Sequence, residues 1–281
     1  MILAEEAGRD ESADVPPLVG RVDLLARLDG VAAGTAVYGR PADAADLPVG
    51  RIALSVLPEH CRRGVATALH RAVSERARAR GDEQLEAQVG APTEATRAYC
   101  AARGYVAVER LWESRLALPP PRLAWNNAVE GLSVRSADDG EEVLRDAYAI
   151  ALESEPDIPQ THEWVAPRDF EAWRAREVDP IDLVREASVV AYIGNTPAAY
   201  GLVARGRDGA AEHWATGVAR SFRGRGLTYA VKREQMARAA RAGVRELVAR
   251  NHDANVAMRR VNEKLGYRVT REIVTYRGPL L

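Results

Sequence analysis

The chain has 281 residues, enough for two domains of ordinary size, each able to bury its own core. A formal net charge of -1 gives no bulk reason to bind nucleic acid or a membrane surface. Two cysteines and five scattered histidines supply neither a disulfide framework nor a metal-ligand spacing, so no metal is expected. Glu5, Glu6, Asp10 and Glu11 reverse the charge of a signal peptide, and no apolar run reaches the roughly 20 residues of a membrane span, which predicts a soluble, cytoplasmic protein. Lysine occurs only at positions 232 and 264 among abundant arginine and alanine, which reads as codon bias.

In chain order, the first predicted strand lies near Val22, barely 20 residues in, so the first half is expected to lack the opening elements of a full domain. An ungapped internal repeat organises the rest. An offset of 162 relates Tyr38-Gly39 to Tyr200-Gly201, Val56 to Val218, Gly64 to Gly226, Gly81 to Gly243, Leu85 to Leu247 and Gly104-Tyr105 to Gly266-Tyr267. Leu118-Pro119-Pro120-Pro121-Arg122 cannot continue a helix and is the expected linker. The predicted domains are 1-122, truncated and degenerate, and 123-281, complete and catalytic.

The second half opens with alternating Leu132-Ser133-Val134-Arg135, then a helix from Asp138 to about Glu153. A hairpin follows (Leu183 to Ile193, a turn at Gly194-Asn195, Ala198 to Ala204), then a strand ending at Val218 and a glycine-rich turn. A long helix to about Ala242, a strand through Leu247-Val248, a helix from Ala254 to Leu265 and closing strands complete it, with Gly243 and Gly266 as helix C-caps. The fold class is α/β (α+β), each half a mixed, largely antiparallel sheet flanked by helices.

The turn reads Arg223-Gly224-Arg225-Gly226-Leu227-Thr228. Backbone N–H groups at a positive helix end, with glycines allowing close approach, suit a pyrophosphate. Its first-half counterpart is Cys61-Arg62-Arg63-Gly64-Val65-Ala66, where Arg62 replaces Gly224, so anion binding there should be weaker.

These residues resemble the cofactor loop of the GNAT superfamily of N-acetyltransferases, which reads Gln or Arg, two residues, Gly, one residue, then Gly or Ala. Thr228 stands at the last position. With Thr216-Gly217-Val218 ahead and Asn251, Asn255, Met258, Asn262 and Leu265-Gly266-Tyr267 behind, the chain is similar to a tandem two-domain branch of that superfamily. The resemblance implies acetyl-CoA, or another acyl-CoA, as cofactor. It implies the backbone at Val218 and Ala219 along the pantetheine arm, and the loop from Arg223 through Gly224, Arg225, Gly226, Leu227 and Thr228 around the pyrophosphate. Asn251 and Asn255 would lie near the arm, or cap the helix that starts near Ala254.

Amide formation needs a base for the ammonium acceptor. Glu212, six residues before Val218, matches the position used by some relatives, and its first-half counterpart is Gly50. His213 titrates in the right range but faces the other side of a regular strand. One of the two is the expected base. The position of the usual general acid, a tyrosine four residues before the helix-ending glycine, holds Asn262, so no acid is assigned. Glu153, Glu155 and Asp157, near Trp164 and Trp173, form either a pocket for a cationic amine or a solvated acidic loop over core tryptophans. The expected partner is therefore a small-molecule amine, with an acyl carrier protein as an alternative donor and a non-catalytic CoA sensor as a third reading. The chain would act as a monomer or homodimer.

Overall fold

A computed structural model describes residues 2–6, 18–41, 47–119, 129–159, 164–206 and 208–281. The chain forms two compact units, Met1–Arg110 with Glu272–Leu281 and Leu111–Arg271. This division differs from a cut at the linker, most of which lies outside the described residues. Each half's closing strand contributes its far end to the sheet of the other unit, an arrangement a linear reading cannot reveal.

In unit 1, β1 (Ile2–Glu6), β2 (Leu18–Leu28), β3 (Val31–Pro41) and β4 (Val49–Val56) pair antiparallel in sequence order. β5 (Gln84–Gly90) joins β4 in parallel, and residues 273–279 pair antiparallel with β5. Helices α1 (Val65–Ala79) and α2 (Glu94–Ala101) belong to this unit. Leu69, Val73 and Ala77 of α1 pack with Leu24, Tyr38 and Ile52 of the strands in one apolar core. The opening strand missing from the sequence reading is present as β1. Among the described residues no helix stands between β1 and β2.

Unit 2 takes residues 111–117 of β6 (Val106–Ala117), then β7 (Leu132–Ser136), α3 (Glu141–Ser154) and α4 (Phe170–Glu177). Next come β8 (Val189–Ile193), β9 (Thr196–Arg205), β10 (Ala210–Val218), α5 (Leu227–Arg241), β11 (Glu246–His252) and α6 (Val256–Lys264). The last strand, β12 (Arg268–Pro279), begins here and supplies the residues already placed in unit 1. β7 to β10 pair antiparallel in order, β11 lies parallel to β10, and residues 111–117 pair antiparallel with β11. Leu183 makes only an isolated bridge to Ala204, so the hairpin's first strand starts later than its hydrophobic run. α4 was not legible from periodicity. Its Asp169 cap accepts from the Ala172 N–H at 2.8 Å and fixes its start, while Trp173, wholly buried, anchors it to α3 through Tyr148.

The glycine stops behave as expected. Gly81, Gly104, Gly243 and Gly266 have φ of 78°, 75°, 79° and 91°, the left-handed conformation that ends a helix without a Cβ penalty. The repeat, however, is not ungapped. Val56 pairs with Gly34 and Val218 with Ala199, so β3 and β9 match three residues off the register that equates Tyr38 with Tyr200. A bulge between His213 and Ala215 adds one residue to β10. Gly50 faces Leu85 and Ala211 faces Leu247, so the counterpart of Glu212 is Arg51, not Gly50, and His213 matches Ile52.

Candidate active site

β10 and β11 of unit 2 pair only at Ala210–Glu246, Ala211–Leu247 and Glu212–Val248. Beyond the bulge, β10 follows β9 to Val218 and β11 follows β6 to His252. The two strands therefore part, and their facing backbone groups lose a strand partner. The Ala219 N–H bonds the Ala198 carbonyl at 2.9 Å. Alternation along a strand then turns the Val218 backbone toward the splay, where its carbonyl accepts from Arg223 Nε at 3.3 Å.

The splay ends at the turn into α5. Gly224 and Gly226 have φ of 77° and 78°, and a Cβ on Gly224 would meet nothing within 4 Å. Gly226 caps α5 without any side-chain hydrogen bond. The first-turn amides of a helix have no acceptor of their own, so Leu227 and Thr228 point N–H groups at open space at a positive helix end. This cradle fits a pyrophosphate. Arg225 is turned back, donating to the Ser221 carbonyl at 3.1 Å and lying 5.2 Å from the Phe222 ring centroid.

The acidic segment after α3 has two jobs. Asp157 pairs with Arg223 at 2.8 Å and with Arg220 at 3.4 Å, and Glu153 accepts from the Arg220 backbone N–H at 3.0 Å. These carboxylates brace the loop, and the arginine contacts hold Asp157 below its ordinary carboxylate range. Glu155 is different: it is buried, accepts from Trp164 Nε1 at 2.8 Å and from the Tyr200 hydroxyl at 3.2 Å, and lies 3.7 Å from Arg176. Burial raises its pKa, offset in part by the Trp164 hydrogen bond. Its neighbour Ser154 packs so closely on Gly217 that a Cβ there would collide with it and with the Tyr200 ring. Glu155 thus stands beside the strand end that opens the splay.

The two candidates for the base sit at the inner end of the splay, Glu212 at the last β10–β11 pairing and His213 just beyond it. Glu212 is ion-paired with Arg250, which also holds Glu113 at 3.1 Å. Glu113 is buried; burial works to raise its pKa, yet Arg271, Arg115 and Arg250 together hold it low. Glu212 therefore belongs to a charged ladder on the sheet. His213 points under α5, with Nε2 2.5 Å from the Tyr267 hydroxyl, and burial followed by Lys232 drives its pKa well below the ordinary value. Asn251 accepts from Asn262 Nδ2 at 2.6 Å, and Asn255 caps α6 by accepting from the Met258 N–H at 3.2 Å. Arg220 escaped the sequence reading because no motif carries it, and Tyr200 entered it only as a repeat position.

Unit 1 repeats the splay. β4 and β5 pair at Val49–Gln84, Gly50–Leu85 and Arg51–Glu86, then separate. Arg62 takes φ 60° and Gly64 φ 85°, the same backbone as Gly224 and Gly226. The cradle's backbone survives, but with an arginine in the left-handed conformation, costing roughly 1–2 kcal/mol, where unit 2 has a glycine.

Sequence comparison now places the chain. The profile of the acetyltransferase (GNAT) family matches residues 6–105 and 146–267. The chain belongs to that family and is an acyltransferase. Similar solved structures include a GCN5-related N-acetyltransferase from Sphaerobacter thermophilus, 21% identical with a TM-score of 0.73 over 96% of this chain and 83% of that one. A tandem GNAT protein from the clavulanic acid biosynthesis pathway is also 21% identical, with a TM-score of 0.72 over 95% and 85% of the two chains. Both share the fold across nearly the whole length. No protein of curated function matches the sequence. Among the described residues, no helix is long and apolar enough to cross a membrane and no cluster of three potential metal ligands occurs.

Proposed function

We propose that unit 2 transfers a small acyl group directly from acyl-CoA to the amine of a small molecule. The observation that carries this reading is the β10–β11 splay opening onto the uncapped Gly224–Gly226 cradle. The amides of Arg225 to Thr228 would hold the pyrophosphate, and the Val218 backbone would pair with the pantetheine arm. Acyl-CoA, when bound, supplies an activated thioester. Glu155 accepts the proton of the incoming ammonium; its raised pKa and its place beside Gly217 suit it to that role better than ion-paired Glu212 or buried His213. Tyr200 and Trp164 fix the orientation of its carboxylate. Asn262 cannot donate as an acid, and a thiol of pKa roughly 8.5 can leave as thiolate near neutral pH.

The test measures free thiol release from acetyl-CoA across a panel of amines and carboxylates, beside the same acyl group on a carrier-protein pantetheine arm. Turnover with amines and acyl-CoA is expected, with one CoA bound per chain. CoA binding without turnover on any amine would make the protein a sensor, and turnover confined to the carrier-borne acyl group would replace the donor.

A further inference from the structure

Under α5, at the inner end of the splay, unit 2 buries a polar cluster that the transfer chemistry above does not use. Lys232 is 1% exposed and Gln235 is wholly buried, with His213 and Tyr267 beside them. The Lys232 ammonium lies 5.8 Å from the Tyr267 ring centroid, and Tyr267 in turn holds His213 Nε2. His213 and the Gln235 amide face each other closely enough that Gln235 acts to raise the His213 pKa against burial, but neither His213 Nδ1 nor either amide atom makes a hydrogen bond of good geometry. Gln235 is pressed against β9, since a Cβ on Gly201 would come within 2.5 to 2.8 Å of its amide group. Burial alone pulls the Lys232 pKa down, to about 7, with no carboxylate acting against it.

A buried ammonium and an unpaired amide are each costly, and a fold does not need them here. Unit 1 shows this. At the matching positions it carries Ile52, His70 and Val73, and His70 Nε2 is satisfied by Tyr105 at 2.9 Å. The polar set is therefore a property of unit 2's site rather than of the architecture. His213 is the first residue of β10 past its last pairing with β11, so the cluster begins where the strands part.

We infer that the inner end of the β10–β11 splay receives the terminal carboxylate of a dicarboxylic acyl group carried on CoA, with Lys232 as its counter-ion and the Gln235 amide as its hydrogen-bond donor. This inference rests on the CoA-binding reading above and specifies its acyl group. A carboxylate arriving there supplies the negative charge that Lys232 lacks and an acceptor for the Gln235 N–H. A methyl group would leave both unpaired.

The experiment titrates the intact chain calorimetrically with CoA, butyryl-CoA and succinyl-CoA, the last two differing mainly in a terminal methyl against a carboxylate. Succinyl-CoA is expected to bind at least about tenfold more tightly than butyryl-CoA, the worth of one charge-assisted contact. In Lys232→Met that ratio should fall to about one while the affinity for CoA itself stays unchanged. Equal affinity for the two thioesters in the wild-type chain, or a preference that persists in Lys232→Met, overturns the inference while leaving CoA binding intact. Failure of CoA itself to bind removes the functional reading and this one with it. Should Lys232→Met not fold, the wild-type ratio alone decides.

Discussion

Under the helix that follows its turn unit 1 places Ile52, His70 and Val73, where unit 2 places His213, Lys232 and Gln235. At the outer end the order of permissiveness is the same: unit 1 forces Arg62 into the left-handed backbone that Gly224 adopts freely. The two units keep one backbone plan, yet unit 2 has a glycine with open space around it in its cradle, and Lys232 and Gln235 buried under α5 where unit 1 has His70 and Val73. The duplicated domain thus retains its backbone while differing in the side chains it buries under the helix after the turn.

The strongest way to break that contrast is Glu155→Gln. Loss of the base should lower kcat by about 10²-fold or more while CoA affinity, read by calorimetry, stays within a factor of two or so. An unchanged kcat would return the role of base to Glu212 or to solvent. Next in size is Lys232→Met, read as stability rather than binding. The folded pKa near 7 lies below the ordinary lysine value of 10.5, so the unfolded chain binds the extra proton between them. The native state is thus penalised most below pH 7 and recovers as pH rises toward 10.5. Lys232→Met should stabilise the chain by on the order of 3 kcal/mol at pH 6, and by much less at pH 10, in urea melts at both values. A pH-independent difference would show that the ammonium is not desolvated.

A smaller effect tests the outer end. Gly224→Arg imports the unit 1 side chain and should weaken CoA binding about tenfold, whereas Arg62→Gly relieves roughly 1 kcal/mol of backbone strain and raises the melting temperature of unit 1. Smallest is Asp157→Asn, which frees Arg223 and Arg220 for phosphate. CoA affinity should rise roughly two- to fivefold at low salt, and the gain should shrink at high ionic strength, as expected of an exposed pair. An affinity that falls instead would mean that Asp157 shapes the loop more than it competes for it.

The sequence by itself determined the duplication, the helix stops and the cradle, because each depends on local backbone chemistry. Gly81, Gly243, Gly104 and Gly266 suit left-handed helix stops, and Gly224 and Gly226 mark a turn whose backbone is open to close approach. It also singled out Glu155, Asp157 and Trp164 as candidates, but it could not separate a carboxylate that braces Arg223 from one buried against Tyr200, since both sit in one short acidic run. It misplaced the counterpart of Glu212, because a one-residue bulge and a three-residue shift leave no trace in an ungapped alignment. Tertiary structure alone decided which closing strand completes which sheet and that α4 exists. It also decided that one of only two lysines in the chain lies buried without a counter-ion. Local propensity is written residue by residue. Strand partnership and burial are set by residues far apart in the chain, and a buried charge becomes visible only when everything packed around it is known.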